Sequence, residues 1–223
     1  MIIYLLAVVG AVAIGLGMSD YLGLHRYVYA YLIAYAAFRF ADLLVRDESM
    51  LGTDAAHFAR RMMNELPVLA LFAAAPLERS YYTGDAPNWL AGLGILIELI
   101  GLWLVLGSRI QLGFYSPGEV HDSSSSSSYG GALPVDEADG SRTIVRSGFY
   151  GFIRHPIYLG EFMVLLAWPF EYAAPITAVI FVIWGAIALK RRIKEEETEM
   201  LANYGDEYDG YMRTTDAILP NVW

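Results

Sequence analysis

Cysteine is absent from this 223-residue chain, which excludes disulfides, thiolate catalysis and a cysteine-based metal site. Lysine is almost absent too, with Lys190 and Lys194 the only two. Acidic residues outnumber Lys plus Arg by 24 to 15, a formal net charge of −9. An acidic, lysine-poor surface argues against a nucleic-acid partner, which needs a basic footprint. It resembles the adaptation of proteins to a salty cytoplasm, where charge is screened. His25, His57 and His121 are scattered without ligand spacing, so no metal site is expected. No internal repeat is present.

What the chain has in quantity is apolar surface. Residues of that kind make up 56% of it, and the mean hydropathy is +0.40, too high for an ordinary soluble domain. Met1 to Met18 carries no charge before its end and is about long enough to cross a bilayer core of roughly 30 Å. It lacks the basic start and small-residue cleavage site of a signal peptide, so a retained span is expected. Further apolar segments run over 27–45, 66–77, 89–107, 157–168 and 172–189. The last two are joined by Pro169-Phe170-Glu171, which predicts a tight helical hairpin whose first arm is short for a full span. The fold class expected is all-α, a polytopic transmembrane bundle of about six helices, because lipid demands internally satisfied backbone.

Basic residues orient that bundle. With both termini inside, the cytoplasmic segments hold Arg46, Arg60, Arg61, Arg109, Arg142, Arg146, Arg154, Lys190, Arg191, Arg192, Lys194 and Arg213. Outside loops keep only Arg26 and Arg79, a pronounced positive-inside bias. The regions around Arg154 and Glu196 therefore face the cytoplasm. A single membrane domain over 1–223 divides into N-terminal helices (1–107), a cytoplasmic loop (108–147) and a C-terminal hairpin with its trailing helix (148–223). Within the loop, 116–141 contains Ser123 to Ser128, Gly130-Gly131 and four acidic residues, a flexible solvated composition with no catalytic role. From Lys190 to Arg213 an amphipathic helix is predicted, with Arg192, Glu196, Met200, Tyr204 and Tyr208 recurring every four residues. Gly205 weakens or ends it.

Charged groups at the mouths of an apolar hairpin are costly without a polar ligand. Arg154-His155-Pro156-Ile157-Tyr158 precedes the hairpin, and Arg192-Ile193-Lys194-Glu195-Glu196-Glu197 comes after it. Pro156 pre-sets a first helical turn and holds His155 extended. Open amides at that helix start suit a carboxylate or other polar group, or they mark a plain helix start with interfacial Arg and His. Tyr150 and Tyr158 suit stacking on an aromatic ring or a sulfonium, or serve as interfacial aromatics. Arg192 and Glu196, at i and i+4, form either a surface ion pair or a ligand-holding pair. Arg39 and Asp42 read as a mutually neutralising pair within the bundle.

Residues 142–160, Arg-Thr-Ile-Val-Arg-Ser-Gly-Phe-Tyr-Gly-Phe-Ile-Arg-His-Pro-Ile-Tyr-Leu-Gly, resemble the cofactor-binding signature of the isoprenylcysteine carboxyl methyltransferase family. That family is similar in turn to the phospholipid N-methyltransferases. A second block stands at the family's separation: Arg192, Glu196-Glu197, Tyr204-Gly205, Tyr208, Tyr211 and Ile218-Leu219-Pro220. The resemblance covers roughly 142–220, while the N-terminal helices match only as generic spans. It implies an integral membrane enzyme using S-adenosyl-L-methionine, with the C-terminal helix completing the cofactor pocket. Carried over by position, the cofactor would touch Arg142, Thr143, Ile144, Val145, Tyr150, His155, Pro156, Ile157, Tyr158 and Glu196. Arg192 would serve the acceptor step. The family commonly has His where Arg142 stands, and Gly-Pro-Tyr in place of Gly148-Phe149-Tyr150.

Methyl transfer is an in-line displacement that needs alignment and dryness rather than a metal or a cysteine. The acceptor expected is a lipophilic molecule or lipid reached from the bilayer, carrying a carboxylate or a head group. Two rivals stand beside this reading. One is a membrane reductase on a related scaffold using reduced nicotinamide dinucleotide phosphate. The other is a non-enzymatic scaffold or permease, which predicts no cofactor binding at all.

Overall fold

A computed structural model describes residues 9–10, 12–17, 32, 35–36, 55–83, 88–115 and 144–219. Arg39, Asp42, Arg142, Thr143, the Ser-rich loop and most of the expected span 27–45 lie outside the described residues. The described elements are helical: α1 (Ala55–Glu78), a π-turn (Arg79–Thr83), α2 (Asn88–Tyr115), α3 (Phe149–Phe152), α4 (Pro156–Glu171), α5 (Pro175–Tyr204) and α6 (Asp206–Thr214). Residues 9–10 and 12–17, inside the first expected span, are helical as well. Among the described residues no strand forms, and a lone parallel bridge joins Ile153 to Asp216.

The predicted segments 66–77, 89–107 and 157–168 fall within α1, α2 and α4. By length and apolarity, one stretch among the described residues suffices to cross a membrane: Trp89–Gln111, 23 residues with mean hydropathy 2.2. The 16 residues of α4 rise only about 24 Å, short of a bilayer core. The predicted segment 172–189 starts instead at Pro175, and α5 continues without a break through Lys190 to Tyr204. Gly205, with φ 51°, ends it; that left-handed conformation costs an ordinary side chain energy and costs glycine little.

Two compact units account for the chain: Met1–Leu99 with Met163–Trp184, and Ile100–Phe162 with Gly185–Trp223. The first is cored by aromatics in mutual contact. Phe72 lies 4.8 Å from Tyr35 and 4.6 Å from Trp168, and Trp168 lies 4.8 Å from Tyr172 (ring centroids). The hairpin turn in this unit closes α4 with a Schellman pair: Ala174 N donates to Pro169 O at 2.8 Å and Ala173 N to Phe170 O at 3.0 Å. The left-handed position is filled by Ala173 at φ 50°. Pro175 then opens α5, and Glu78 caps it, accepting from Ile176 N at 2.8 Å and Thr177 N at 2.7 Å. One carboxylate thus satisfies two amide donors that Pro175 leaves behind it.

The second unit holds the motif residues. Here α2 and α4 touch at Gly160, where a Cβ would come 2.6 Å from Gly101 O and 2.6 Å from Val105 Cγ2. Only glycine permits that approach. Ile144 packs with Met200, Tyr208 and Tyr211, so the stripe read from the sequence buries its Met200 and Tyr208 positions. Tyr158, Ile193, Ala217 and Ile218 form a second cluster beside it.

Candidate cofactor site

The site is built on an extended tripeptide. Ile153-Arg154-His155 leaves helical geometry ahead of Pro156, and it pairs with the returning segment at 216–217. Arg154 N donates to Asp216 O at 2.8 Å, and His155 N donates to Ala217 O at 3.0 Å. The carbonyl of His155 accepts from Leu159 N at 3.2 Å, which makes His155 the N-cap of α4, as the His-Pro order dictates.

Side chains from α5 meet this tripeptide. Arg154 donates from Nε at 2.9 Å and from Nη2 at 2.6 Å to Glu197 Oε1. Its Nη1 bonds to Thr215 O and to Met212 O, the latter at 3.2 Å. His155 is buried between two carboxylates, with Nε2 3.2 Å from Glu197 Oε1 and Nδ1 3.7 Å from Glu196 Oε2. The two glutamates differ in electrostatics. Burial pushes Glu197 up, but hydrogen bonds from His155 and Arg154 outweigh it and hold the carboxyl below its ordinary range. Burial pushes Glu196 up, and the neighbouring His155, Tyr158 hydroxyl and Arg192 do not fully offset it. Burial also raises the phenols of Tyr150, Tyr208 and Tyr211, keeping them neutral donors. The Tyr211 hydroxyl donates to Tyr150 O at 2.6 Å.

Beside His155 stands a column of flat groups. The His155 and Tyr158 rings are 5.5 Å apart with planes 8° from parallel. The Arg192 guanidinium lies over the Tyr158 ring at 4.6 Å. Arg192 Nη1 reaches Glu161 Oε2 at 3.4 Å, and Glu161 Oε1 lies 3.6 Å from Arg109 Nη2. Two polar atoms at the foot of the column, Glu196 Oε2 and the Tyr158 hydroxyl, are buried without a hydrogen bond of good geometry among the described residues. They are neighbours that interact electrostatically, and His155 Nδ1 lies 3.7 Å from the same Oε2. Buried polar atoms are rarely left so, and each orphan costs about 1–3 kcal/mol.

Of the residues expected from the sequence, His155, Tyr158, Arg192 and Glu196 converge. Pro156 is buried and opens α4. Val145, Tyr150 and Ile157 form a small apolar cluster with Phe149 at its edge. Ile144 is buried against α6, its amide donating to Glu207 Oε1 at 3.3 Å. Sequence reasoning passed over Glu197, Glu161, Arg109 and Gln111. The last holds the start of α3, donating to Ser147 O at 2.6 Å and accepting from Phe149 N at 3.1 Å. Glu161 had a signal, as the one charge inside an apolar helical arm, three residues past Tyr158. Glu197 had none to separate it from Glu196.

Several known proteins resemble the chain in sequence and fold. Residues 135–202 match the isoprenylcysteine carboxyl methyltransferase (ICMT) family. Protein-S-isoprenylcysteine O-methyltransferase of Mus musculus is 24% identical over 135 residues, covering 60% of this chain and 43% of that protein. Delta(14)-sterol reductase TM7SF2 of the same species is 27% identical over 136 residues, 60% of this chain and 31% of that one. The chain therefore spans less than half the length of these relatives. The solved eukaryotic intramembrane Ras methyltransferase ICMT superposes with a TM-score of 0.62 at 18% identity, over 86% of this chain and 66% of its own. The chain is ICMT-like, in the sequence of residues 135–202 and in its helical fold.

Proposed function

We propose that the protein is an integral membrane methyltransferase that uses S-adenosylmethionine and methylates a lipophilic acceptor bearing a carboxylate or a lipid head group. The observation that supports this reading is the pair of buried polar atoms short of well-formed hydrogen bonds, Glu196 Oε2 and the Tyr158 hydroxyl, beside His155 and inside the family-matched segment. An amino or ribose hydroxyl group suits the carboxylate, and the phenol suits an acceptor atom. When bound, the cofactor supplies an electrophilic sulfonium methyl. Glu196, His155, Pro156, Ile157 and Tyr158 would hold it, with Ile144, Val145 and Tyr150 walling the pocket. Arg142 and Thr143 complete that set. Arg192 would orient the acceptor through its forked donors. An ionised carboxylate acceptor needs no base at neutral pH.

The proposed setting is the cell membrane, crossed several times, with both termini and the site on the cytoplasmic side. A soluble charged cofactor then enters from water while the acceptor arrives from lipid. No metal is invoked, and among the described residues no group of three or more His, Asp or Glu side chains is placed to hold one. A second reading, a nicotinamide-dependent membrane reductase, is favoured by one observation, the similarity to the sterol reductase.

Calorimetric titration of detergent-purified protein separates the two. S-adenosylhomocysteine binding that is lost in Glu196→Ala supports the methyltransferase. Binding of reduced nicotinamide dinucleotide phosphate alone makes the protein a reductase. Silence toward both, from folded protein, favours a scaffold or permease.

A further inference from the structure

Glu161 is the charge that neither the signature nor the cofactor contacts account for. It sits on α4, three residues beyond Tyr158, with a side chain 21% exposed. Its two oxygens serve different helices: Oε1 faces Arg109 Nη2 of α2 at 3.6 Å, and Oε2 faces Arg192 Nη1 of α5 at 3.4 Å. Burying a carboxylate in an apolar arm is costly, and two guanidiniums lower that cost. Arg192 is thereby held on two sides, by the Tyr158 ring at 4.6 Å and by Glu161. A long arginine chain left to itself samples many rotamers, and fixing them before the acceptor arrives removes that entropy from the binding step.

We infer that Glu161 is a positioning residue for the acceptor step. It sets the guanidinium of Arg192, and Arg109 anchors Glu161 in turn. The inference rests on the methyltransferase reading and adds to it a residue specific to the acceptor. The contacts are long for ion pairs, so the carboxylate orients Arg192 without locking it in a tight bidentate clasp. Glu161 acts through charge and reach together. Gln keeps the shape and loses the charge, while Asp keeps the charge and shortens the reach.

The test is radiolabelled methyl transfer from S-adenosylmethionine to S-farnesylcysteine and to a bilayer lipid extract, run beside S-adenosylhomocysteine titrations. Glu161→Gln should bind S-adenosylhomocysteine as the wild type does, and that binding certifies its fold. Its kcat/KM for the acceptor should fall roughly ten- to a hundred-fold, as expected for a displaced positioning group. Glu161→Asp should fall between the two. In an Arg192→Ala background, Glu161→Gln should change the rate by less than about twofold, because its effect runs through Arg192. Additive losses, or equal losses in cofactor binding and transfer, would overturn the inference. So would a wild type that binds S-adenosylhomocysteine and methylates neither probe, since the Arg192 end would then not be an acceptor site. A wild type blind to S-adenosylhomocysteine sinks the methyltransferase reading itself.

Discussion

Arg154 and Glu197 meet through one oxygen: both Nε and Nη2 of the guanidinium donate to Glu197 Oε1. Their side chains are 9% and 14% exposed, so this is a pair largely withdrawn from water. Neither half is replaceable alone. Glu197→Ala leaves a guanidinium buried against the carbonyls of Met212 and Thr215, and breaking such a pair costs about 3–5 kcal/mol. Chemical denaturation in mild detergent checks this; a loss under about 1 kcal/mol would mean the pair is solvated like a surface bridge.

The same carboxylate predicts an acid limb. Glu197 has a folded pKa below the ordinary 4.5, so its contribution is complete above that value and is lost as pH falls through the depressed one. Stability followed from pH 6 down toward about pH 3 should drop in the wild type and flatten in Glu197→Gln. Parallel curves for the two would assign the limb to other groups.

Glu196 carries the opposite sign. Its raised pKa means that protonation begins above the ordinary 4.5 as pH falls, and the carboxylate that a donor group would engage is lost there. S-adenosylhomocysteine affinity should therefore weaken on acidification before Glu197 titrates. Glu196→Gln should abolish that dependence and lower affinity at neutral pH by about 1–3 kcal/mol, the worth of a charge-assisted hydrogen bond. A pH profile that survives the substitution would remove Glu196 from the site.

At Gly160 the two helices leave no room for a methyl group, the obstacles being a backbone carbonyl and a valine methyl. Gly160→Ala should force α2 and α4 apart and cost about 1–3 kcal/mol, seen as a lowered thermal midpoint. An unchanged midpoint would show that the contact relaxes freely.

Glu78→Ala should uncap α5, leaving the Ile176 and Thr177 amides without their acceptor at a cost of about 1–2 kcal/mol. S-adenosylhomocysteine affinity should stay unchanged if the fold holds. Loss of affinity from well-folded protein would show that the cap matters for more than its own helix.

Local chemistry made part of this site legible from sequence. His155-Pro156 fixes an extended residue before a helix start, and the apolar run from Ile157 onward marks the hairpin arm that the start opens. Which of two adjacent glutamates meets Arg154 depends on how α5 is rotated, and nothing in Glu195-Glu196-Glu197 encodes that rotation. Glu161 and Arg192 are 31 residues apart, and such pairings depend on helix packing rather than on spacing within one helix. Among the described residues Trp89–Gln111 is the stretch long and apolar enough to cross a membrane, and the expected spans over 1–18 and 27–45 lie largely outside those residues.

The parallel pairing at Ile153 and Asp216 has a consequence for synthesis. The Arg154 and His155 amides are satisfied by residues 216–217, and Arg154 is separated from its partner Thr215 by 61 positions. A ribosome delivers Arg154 and His155 long before it delivers the segment that completes them. Until then their donors face solvent or chaperone, and closing so long a loop is an entropic step taken late. The site is thus assembled only after α5 and α6 exist, and a nascent chain halted before Thr215 carries the signature without the pocket.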